Sequence, residues 1–280
     1  MTYVFFGTPR FASIVLEKMI DAGMPPAAVV CNPDRPAGRK KILTEPPVKA
    51  LAREHGIAVL QPESLDDAFA ASLRALAPDA FAVAAYAKII PQAVIDIPRL
   101  GTLGVHPSLL PKYRGASPIQ SAILAGEHKT GGTIYLMDAK MDHGPVLAER
   151  SLPFDPDTET YTGLEERLAT LCGGLLAETL PAFMGGTADA HPQDHAAATF
   201  TKKFASADAF VDAADLDAAV AHGGEGASRI LHMINAFSPE PGCWTMKDGA
   251  RTKLLAAERD GRGALRLTKV QREGERPRDL

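Results

Sequence analysis

Short apolar runs alternate with helical patterns over residues 3–97, and this alternation restricts the possible folds more than any other feature. Apolar runs flanked by turn residues predict buried strands, and apolar residues three to four positions apart predict helices. Strands that are apolar throughout and separated by helices form parallel sheets covered on both faces. The sequence therefore predicts an open, Rossmann-like, mostly parallel α/β sheet, whose ligands bind at the carboxyl ends of its strands. The strands are predicted at 3–6, 27–31, 58–61 and 81–86, and the helices at 11–22, 47–55, 65–76 and 91–97.

The pattern changes in the second half of the chain. Further strands are predicted at 102–105, 133–137 and 146–154, followed by a long helix at 161–184. The 280 residues fit one large domain or two smaller ones. A polar stretch divides the chain, which predicts an α/β domain over 1–188, a linker over 189–206 and a small β-rich domain over 207–280.

Composition excludes several classes of protein. The three cysteines (Cys31, Cys172 and Cys243) are too few for a disulfide framework, and none has the spacing of a zinc site. No leader or membrane-spanning stretch is visible, so a cytoplasmic protein is expected. The formal net charge of −4 excludes a uniformly basic nucleic-acid binder, but it allows a local basic patch.

Such a patch occurs in the loop at 32–41. It holds four cations and no acid between the first and the last of them: Arg35, Arg39, Lys40 and Lys41. Guanidinium groups suit phosphates in particular, so an anionic partner is one hypothesis, and a solvated basic loop is the other. The turn at Gly7-Thr8-Pro9 lacks the GxGxxG pattern, so no dinucleotide fingerprint is present.

A histidine and an aspartate follow neighbouring predicted strands. His106 ends one strand and enters a loop bounded by prolines, and Asp142 lies in the loop after the next strand. At adjoining strand ends the two side chains can share a cleft, where a carboxylate tunes an imidazole and the pair moves protons. Neither a serine nucleophile elbow nor metal-ligand spacing accompanies them, so no metal is expected.

Three segments, SLLPKYRGASPIQ at 108–120, TGGT at 130–133 and MDHG at 141–144, closely resemble the folate-dependent formyltransferase family. The resemblance implies that family's fold, with 10-formyltetrahydrofolate as co-substrate and an amine as formyl acceptor. It implies that His106 hydrogen-bonds the formyl oxygen as negative charge develops there, and that Asp142 holds His106 protonated. It also implies folate contacts at Lys88, Ile89, Ile90, Ser108, Leu109, Leu110, Pro111, Ala139, Lys140 and Met141.

The basic loop is similar to the acceptor-stem loop of the members that formylate the α-amine of initiator methionyl-tRNA in translation initiation. It implies tRNA contacts by Arg35, Arg39, Lys40 and Lys41, and the family precedent implies a monomer. The segment INAFSPEPG at 234–242 resembles the start of the C-terminal domain of the same members. Two alternatives remain: a formyltransferase for a nucleotide-linked amino sugar, and a catalytically dead homologue that binds folate or tRNA.

The chain departs from the family pattern in two places. Gly104 stands where the family has an asparagine, whose amide polarises the formyl carbonyl. Glycine leaves a gap that a water can partly fill, so a loss of at least ~10²-fold in rate is expected unless a neighbour substitutes. At 256–264 two strands of the C-terminal domain are joined directly, which predicts a shortened β-barrel-type domain with exposed edges.

Overall fold

The structure is a computed structural model that describes residues 2–37 and 41–280. In chain order its elements are β1 (Tyr3–Gly7), α1 (Arg10–Asp21), β2 (Ala28–Val30), β3 (Arg35–Ala37), β4 (Ile42–Thr44), α2 (Pro47–Glu54), β5 (Ala58–Leu60), α3 (Asp67–Ala75), β6 (Ala80–Ala84), α4 (Gln92–Ile95), β7 (Thr102–His106), β8 (Arg114–Gly115), α5 (Pro118–Leu124), β9 (Lys129–Leu136), β10 (Val146–Pro153), α6 (Tyr161–Met184), β11 (Phe200–Thr201), α7 (Ala213–His222), α8 (Glu225–Phe237), β12 (Trp244–Lys247), β13 (Ala250–Arg259), β14 (Leu265–Arg272) and β15 (Arg278–Asp279).

Seven strands form the main sheet in the order β10-β9-β7-β6-β1-β2-β5. Strands β7, β6, β1, β2 and β5 pair in parallel with one another, in that order. Strand β9 pairs antiparallel with β7 on its other side. The predicted α/β sheet, mostly parallel, is therefore confirmed. Gly7 of β1 pairs with Ala84 of β6, which in turn pairs with Val105 of β7. The carboxyl ends of these three strands consequently meet at one edge, where ligands bind in such sheets.

The apolar pattern of β1 places its side chains in the core. All five residues are buried, since the strand lies between β2 and β6 inside the sheet. Phe6 packs against Phe81 with ring centroids 4.9 Å apart and against Tyr86 at 5.4 Å. Helix α1 buries one apolar stripe, which includes Val15, Leu16 and Met19. This packing makes β1 the rigid centre from which the neighbouring strand ends are positioned.

The C-terminal part has its own small core. Strands β12 to β15 form an open four-stranded antiparallel sheet, and α8 packs on β13. Ile230 and Ile234 of α8 and Leu254 of β13 are buried. Asn235 Nδ2 also donates hydrogen bonds to the carbonyl oxygens of Pro156 (3.0 Å) and Asp157 (3.2 Å). The predicted β-rich region is thus present as an open sheet, and whether it is a shortened version of a larger domain stays a prediction.

Packing divides the chain into two compact units that interleave along the sequence. The first contains Met1–Arg114, Gly131–Ser151 and Glu166–Thr199, and the second contains Gly115–Thr130, Leu152–Glu165 and Phe200–Leu280. The boundaries expected from the sequence describe contiguous domains, and they stay a prediction. Within residues 2–37 and 41–280, no helix is both long and apolar enough to cross a membrane.

Several short elements have no counterpart in the sequence prediction, among them a pair of strands and a helix. Strand β3 lies inside the predicted basic loop and pairs antiparallel with β4, which follows that loop and whose three residues are all exposed. Without a buried face, the alternation that indicates a strand does not arise. Helix α5 has seven residues and starts at Pro118, which is favourable at a first helical position. Its shortness and the surrounding prolines make it resemble a loop in sequence.

A glycine in the TGGT segment permits close packing of α6 on β9. A Cβ built on Gly132 overlaps Cys172 Sγ and lies 3.7 Å from Cys172 Cβ. We expect Gly132→Ala to lower the free energy of unfolding by ~1–3 kcal/mol, since it overpacks a core contact. Adding Cys172→Ala removes the sulfur and should restore part of that loss. Urea denaturation of the single and double variants measures both effects.

Gly174→Ala in α6 is the matched control, since a Cβ there meets nothing within 4 Å. It should be neutral or stabilising by up to ~1 kcal/mol, because alanine favours the helix. Purely additive losses in the Gly132→Ala/Cys172→Ala variant would contradict the proposed overlap.

Candidate active site

The predicted histidine and aspartate lie side by side in the first compact unit. His106 is the buried last residue of β7, and its Nδ1 is 3.6 Å from Asp142 Oδ2. On the other side of the ring, His106 Nε2 lies 2.9 Å from the carbonyl oxygen of Tyr113. Both ring nitrogens therefore face oxygen atoms, and a protonated imidazole can donate to both.

The segment around Asp142 is held in an unusual backbone conformation. Asp142 has a φ of 49°, in the left-handed region that costs energy for residues other than glycine. Gln193 Nε2 donates to the carbonyl oxygens of Asp142 (3.0 Å) and Gly144 (2.7 Å). The same segment packs closely on Leu136: Gly144 lies so near the Leu136 carbonyl that a Cβ would overlap it. These contacts hold the carboxylate of Asp142 toward His106.

A buried arginine supports the glutamine in turn. Gln193 Oε1 accepts from Arg114 Nε (3.1 Å) and Nη2 (2.5 Å), and both residues are buried. Arg114 Nη2 also lies 2.9 Å from Nδ1 of His195, whose ring stacks on His143 at 4.1 Å. Partial desolvation, and then the nearby His143 and Arg114, lower the pKa of His195. The structure thus adds Arg114 and Gln193 to the site; Gln193 lies in the predicted linker, where no motif marks it.

Tyr135 is a further group that the sequence does not single out. Its hydroxyl donates to Asp142 Oδ1 over 2.7 Å, while Asp142 Oδ2 faces His106. Burial, and then the charge of Asp142, raises the pKa of Tyr135 well above its usual value, so the phenol stays protonated as a donor. Within the TGGTIYLMD segment, Tyr135 has the pattern of an ordinary strand residue.

The aromatic ring of Tyr135 also corrects the expectation for Gly104. A Cβ built on Gly104 overlaps two ring carbons of Tyr135 and lies 2.7 Å from its hydroxyl oxygen. The space beside Gly104 is therefore filled by a phenol, rather than being a gap for water. The expected loss of rate stays a prediction.

The loop after β7 is built around Thr133. Thr133 Oγ1 donates to the Ser108 carbonyl (2.7 Å) and accepts from the Leu110 amide (3.2 Å). Ser108 and Leu110 are buried, whereas Leu109 and Pro111 are partly exposed. Of the four residues expected to contact folate here, Leu109 and Pro111 thus have side-chain surface available.

The other two segments expected to contact folate expose apolar side chains. Ile89 is 89% exposed and Met141 is 61% exposed. Ile90, next to Ile89, belongs to an apolar cluster, and Met137, four residues before Met141, packs against the same cluster. Both segments therefore start from one apolar cluster. Lys88 Nζ donates hydrogen bonds to the carbonyl oxygens of Pro62 and Glu63, which precede α3. Ala139 and Lys140 are exposed. Exposed apolar side chains on adjacent loops suit a flat aromatic ring.

The basic loop is described only in part. Arg35 lies in β3, and its Nη2 forms an ion pair with Glu63 Oε2 at 2.7 Å. An acid from elsewhere in the sequence thus balances this cation. Lys41 is exposed, with a φ of 48°. The two remaining predicted tRNA contacts, Arg39 and Lys40, lie outside the described residues.

Comparison with known proteins gives the class and then the family. Residues 1–180 match the sequence model of the formyl transferase family. A methionyl-tRNA formyltransferase of Roseiflexus sp. (strain RS-1) is 46% identical over 256 residues, covering 91% of this chain and 75% of that protein. A methionyl-tRNA formyltransferase of Stutzerimonas stutzeri (strain A1501) is 39% identical, and the match covers 98% of this chain and 91% of that protein. The chain therefore belongs to the methionyl-tRNA formyltransferase family.

A more distant structure shares the fold. An N-formyltransferase from Helicobacter canadensis, solved with folinic acid and dTDP-3-aminofucose, aligns with a TM-score of 0.63. The alignment covers 92% of this chain and 87% of that one at 14% sequence identity. At that identity the likeness concerns the fold alone, and it agrees with the predicted formyltransferase fold.

The supporting role of Gln193 can be tested without substrates. Gln193→Glu keeps an acceptor for Arg114 but removes both donors to the Asp142 segment, whereas Gln193→Leu removes all of these hydrogen bonds. We expect faster amide hydrogen exchange across 138–145 in both variants. In Gln193→Leu the free energy of unfolding should fall by a further ~1–3 kcal/mol, because the buried guanidinium of Arg114 loses the acceptor that Gln193 provides. Unchanged exchange across 138–145 would show that Gln193 does not hold the segment.

Proposed function

We propose that this protein transfers the formyl group of 10-formyltetrahydrofolate to the α-amino group of initiator methionyl-tRNA, in translation initiation. The observation that carries the proposal is the similarity to methionyl-tRNA formyltransferases over 91% of the chain. The adjoining His106 and Asp142 side chains supply the acid–base chemistry that such a transfer needs.

His106 acts on the formyl oxygen in this proposal. Acyl transfer places negative charge on that oxygen, and a fixed hydrogen-bond donor stabilises it. His106 Nε2 bonds the Tyr113 carbonyl, so donation to a substrate exchanges one acceptor for another. The bond to Tyr113 keeps the imidazole oriented until substrate arrives.

Asp142 faces His106 and accepts a proton from the attacking amine in this proposal. Its carboxylate faces His106 Nδ1 and stabilises an imidazolium there. As the methionyl amine bonds to the formyl carbon, the bond from that carbon to the folate nitrogen breaks and tetrahydrofolate leaves. The amine must lose a proton, and a nearby carboxylate with a fixed orientation can relay it toward the departing folate nitrogen. The contacts from Gln193 hold Asp142 in place for this role.

The residues present fit a folate. We propose that it contacts the segments 88–90, 108–111 and 139–141, where Ile89 and Met141 offer apolar surface to the pterin ring. When bound, the folate supplies the formyl group that is transferred.

We propose further that the protein acts as a cytoplasmic monomer, with a catalytic domain over 1–188, a linker over 189–206 and a C-terminal tRNA-binding domain over 207–280. Its three thiols are buried and unpaired, in keeping with a reducing compartment. The region 247–280 holds ten lysines and arginines against six acids, which suits an RNA backbone. An amino-sugar substrate is less favoured, since the sugar-modifying relative is similar in fold alone.

Transfer assays with purified substrates test the proposed reaction. The protein should formylate initiator methionyl-tRNA with 10-formyltetrahydrofolate, and His106→Asn should lower the rate by ~10²–10³-fold, as expected for a lost oxyanion donor. His55→Asn, at the exposed C-terminal end of α2, is the matched control and should retain the rate. Formylation of a nucleotide-linked amino sugar without formylation of methionyl-tRNA would contradict the proposal. Tight tRNA binding with no turnover would instead support the catalytically dead homologue.

The basic loop should contact tRNA phosphates. Replacing Arg39 and Lys41 with alanine should weaken binding to all tRNAs by a similar factor. The slope of log affinity against log salt concentration should fall by about one per lost phosphate contact. Folate binding should not change. The double variant Arg74→Ala/Arg99→Ala alters net charge equally at other surface positions and is the control. If both double variants bind tRNA with equal affinity, the loop is solvated surface and does not contact tRNA.

A further inference from the structure

Gly104 and Tyr135 face each other across the antiparallel pairing of β7 with β9. They are direct partners in the register between β7 and β9, flanked by Leu103 with Leu136 and Val105 with Ile134. Directly opposed residues of paired strands present their side chains on the same face of the sheet. Gly104 leaves that face of β7 open, and the phenol ring of Tyr135 extends from β9 into the open space.

The two positions are sterically coupled. A Cβ on Gly104 overlaps ring carbons of Tyr135, and Tyr135 is buried with little freedom to move aside. Backbone and ring atoms at such distances cannot coexist without a shift of one of them. The position of the Tyr135 ring therefore depends on the absence of a side chain at residue 104.

In this position the Tyr135 hydroxyl binds one carboxylate oxygen of Asp142, and the other oxygen faces His106. It donates to Oδ1 over 2.7 Å, while Oδ2 faces His106 Nδ1. Hydrogen bonds to a charged acceptor are strong and directional, so the bond fixes the carboxylate about its terminal torsion. Asp138 and Arg114 are the other charged groups that act on Tyr135, with opposite effects, and burial keeps the phenol in its donating form.

We propose that Tyr135 is a positioning residue for formyl transfer, whose hydroxyl aims the Asp142 carboxylate at His106 from the space left by Gly104. The inference rests on the proposed function for its catalytic consequence. It makes Gly104 a requirement of this particular site. An asparagine at 104 is then expected to impair the site by displacing the Tyr135 ring, rather than to improve it.

Tyr135→Phe is the first test, because it keeps the ring and removes the hydroxyl. We expect kcat for formylation of methionyl-tRNA to fall by about 10- to 100-fold, the effect of one lost hydrogen bond to a charged group. KM for tRNA and for 10-formyltetrahydrofolate should stay within about twofold, since the hydroxyl binds Asp142 and acts through it. Tyr161→Phe removes a comparable bond, from the Tyr161 hydroxyl to Glu165 Oε1 over 2.9 Å, and should leave kcat unchanged.

Substitutions at 104 test the steric coupling. Gly104→Asn should lower kcat, because the asparagine side chain displaces the Tyr135 ring and with it the hydroxyl that positions Asp142. Adding Tyr135→Leu to Gly104→Asn should then lower kcat little further, since the effect of the hydroxyl is already lost. Urea denaturation of each variant confirms that it is folded under assay conditions. An increase in kcat for Gly104→Asn alone, or a further fall in the double variant as large as that caused by Tyr135→Leu alone, would overturn the coupling.

A measurement without substrates separates this inference from the proposed function. The ring-nitrogen NMR shifts of His106 should move in Tyr135→Phe and stay in place in Tyr161→Phe. Should the unmodified protein fail to formylate methionyl-tRNA, the proposed function falls and these shifts still decide the role of Tyr135. Unchanged His106 shifts together with unchanged kcat in Tyr135→Phe would overturn the inference alone.

Discussion

The carboxylate of Asp142 connects the parts of the site that lie on different segments of the chain. Its Oδ1 accepts from Tyr135 on β9, and its Oδ2 faces His106 at the end of β7. Its backbone carbonyl accepts from Gln193, far along the sequence. The φ of 49° at Asp142 shows that these contacts together stabilise a conformation that the residue would otherwise avoid. Loss of any one partner should therefore affect the orientation of the carboxylate.

The sheet provides the rigid frame for this carboxylate. Its parallel strands bring the ends of β1, β6 and β7 to one edge, and the antiparallel β9 returns along β7 to present Tyr135 opposite Gly104. Close approaches at glycines recur here, at Gly104 against the Tyr135 ring and at Gly144 against the Leu136 carbonyl. At Gly104 the absent Cβ leaves room for the Tyr135 ring, and at Gly144 it lets the loop lie against the Leu136 carbonyl.

Much of this arrangement can be predicted from the sequence, and the part that cannot depends on register. Alternating strand and helix patterns predict the parallel sheet and the long helix α6, and the strand-end positions of His106 and Asp142 predict their proximity. The supporting groups escape prediction, because Tyr135 follows an ordinary strand pattern and Gln193 lies in a polar stretch without periodicity. Only the pairing of β7 with β9 shows that the space beside Gly104 belongs to Tyr135. The hairpin of β3 and β4 is missed for a different reason, since its exposed residues bury no face.

The Tyr135 phenol occupies the space beside Gly104 and donates to Asp142, and the geometry of the site depends on both contacts. Proton NMR of the unliganded protein tests this most directly. Nuclear Overhauser contacts should link the Gly104 α-protons to the Tyr135 ring, and a slowly exchanging hydroxyl proton should disappear in Tyr135→Phe. An absence of these contacts, with the Tyr135 hydroxyl in rapid exchange with water, would contradict this placement of Tyr135.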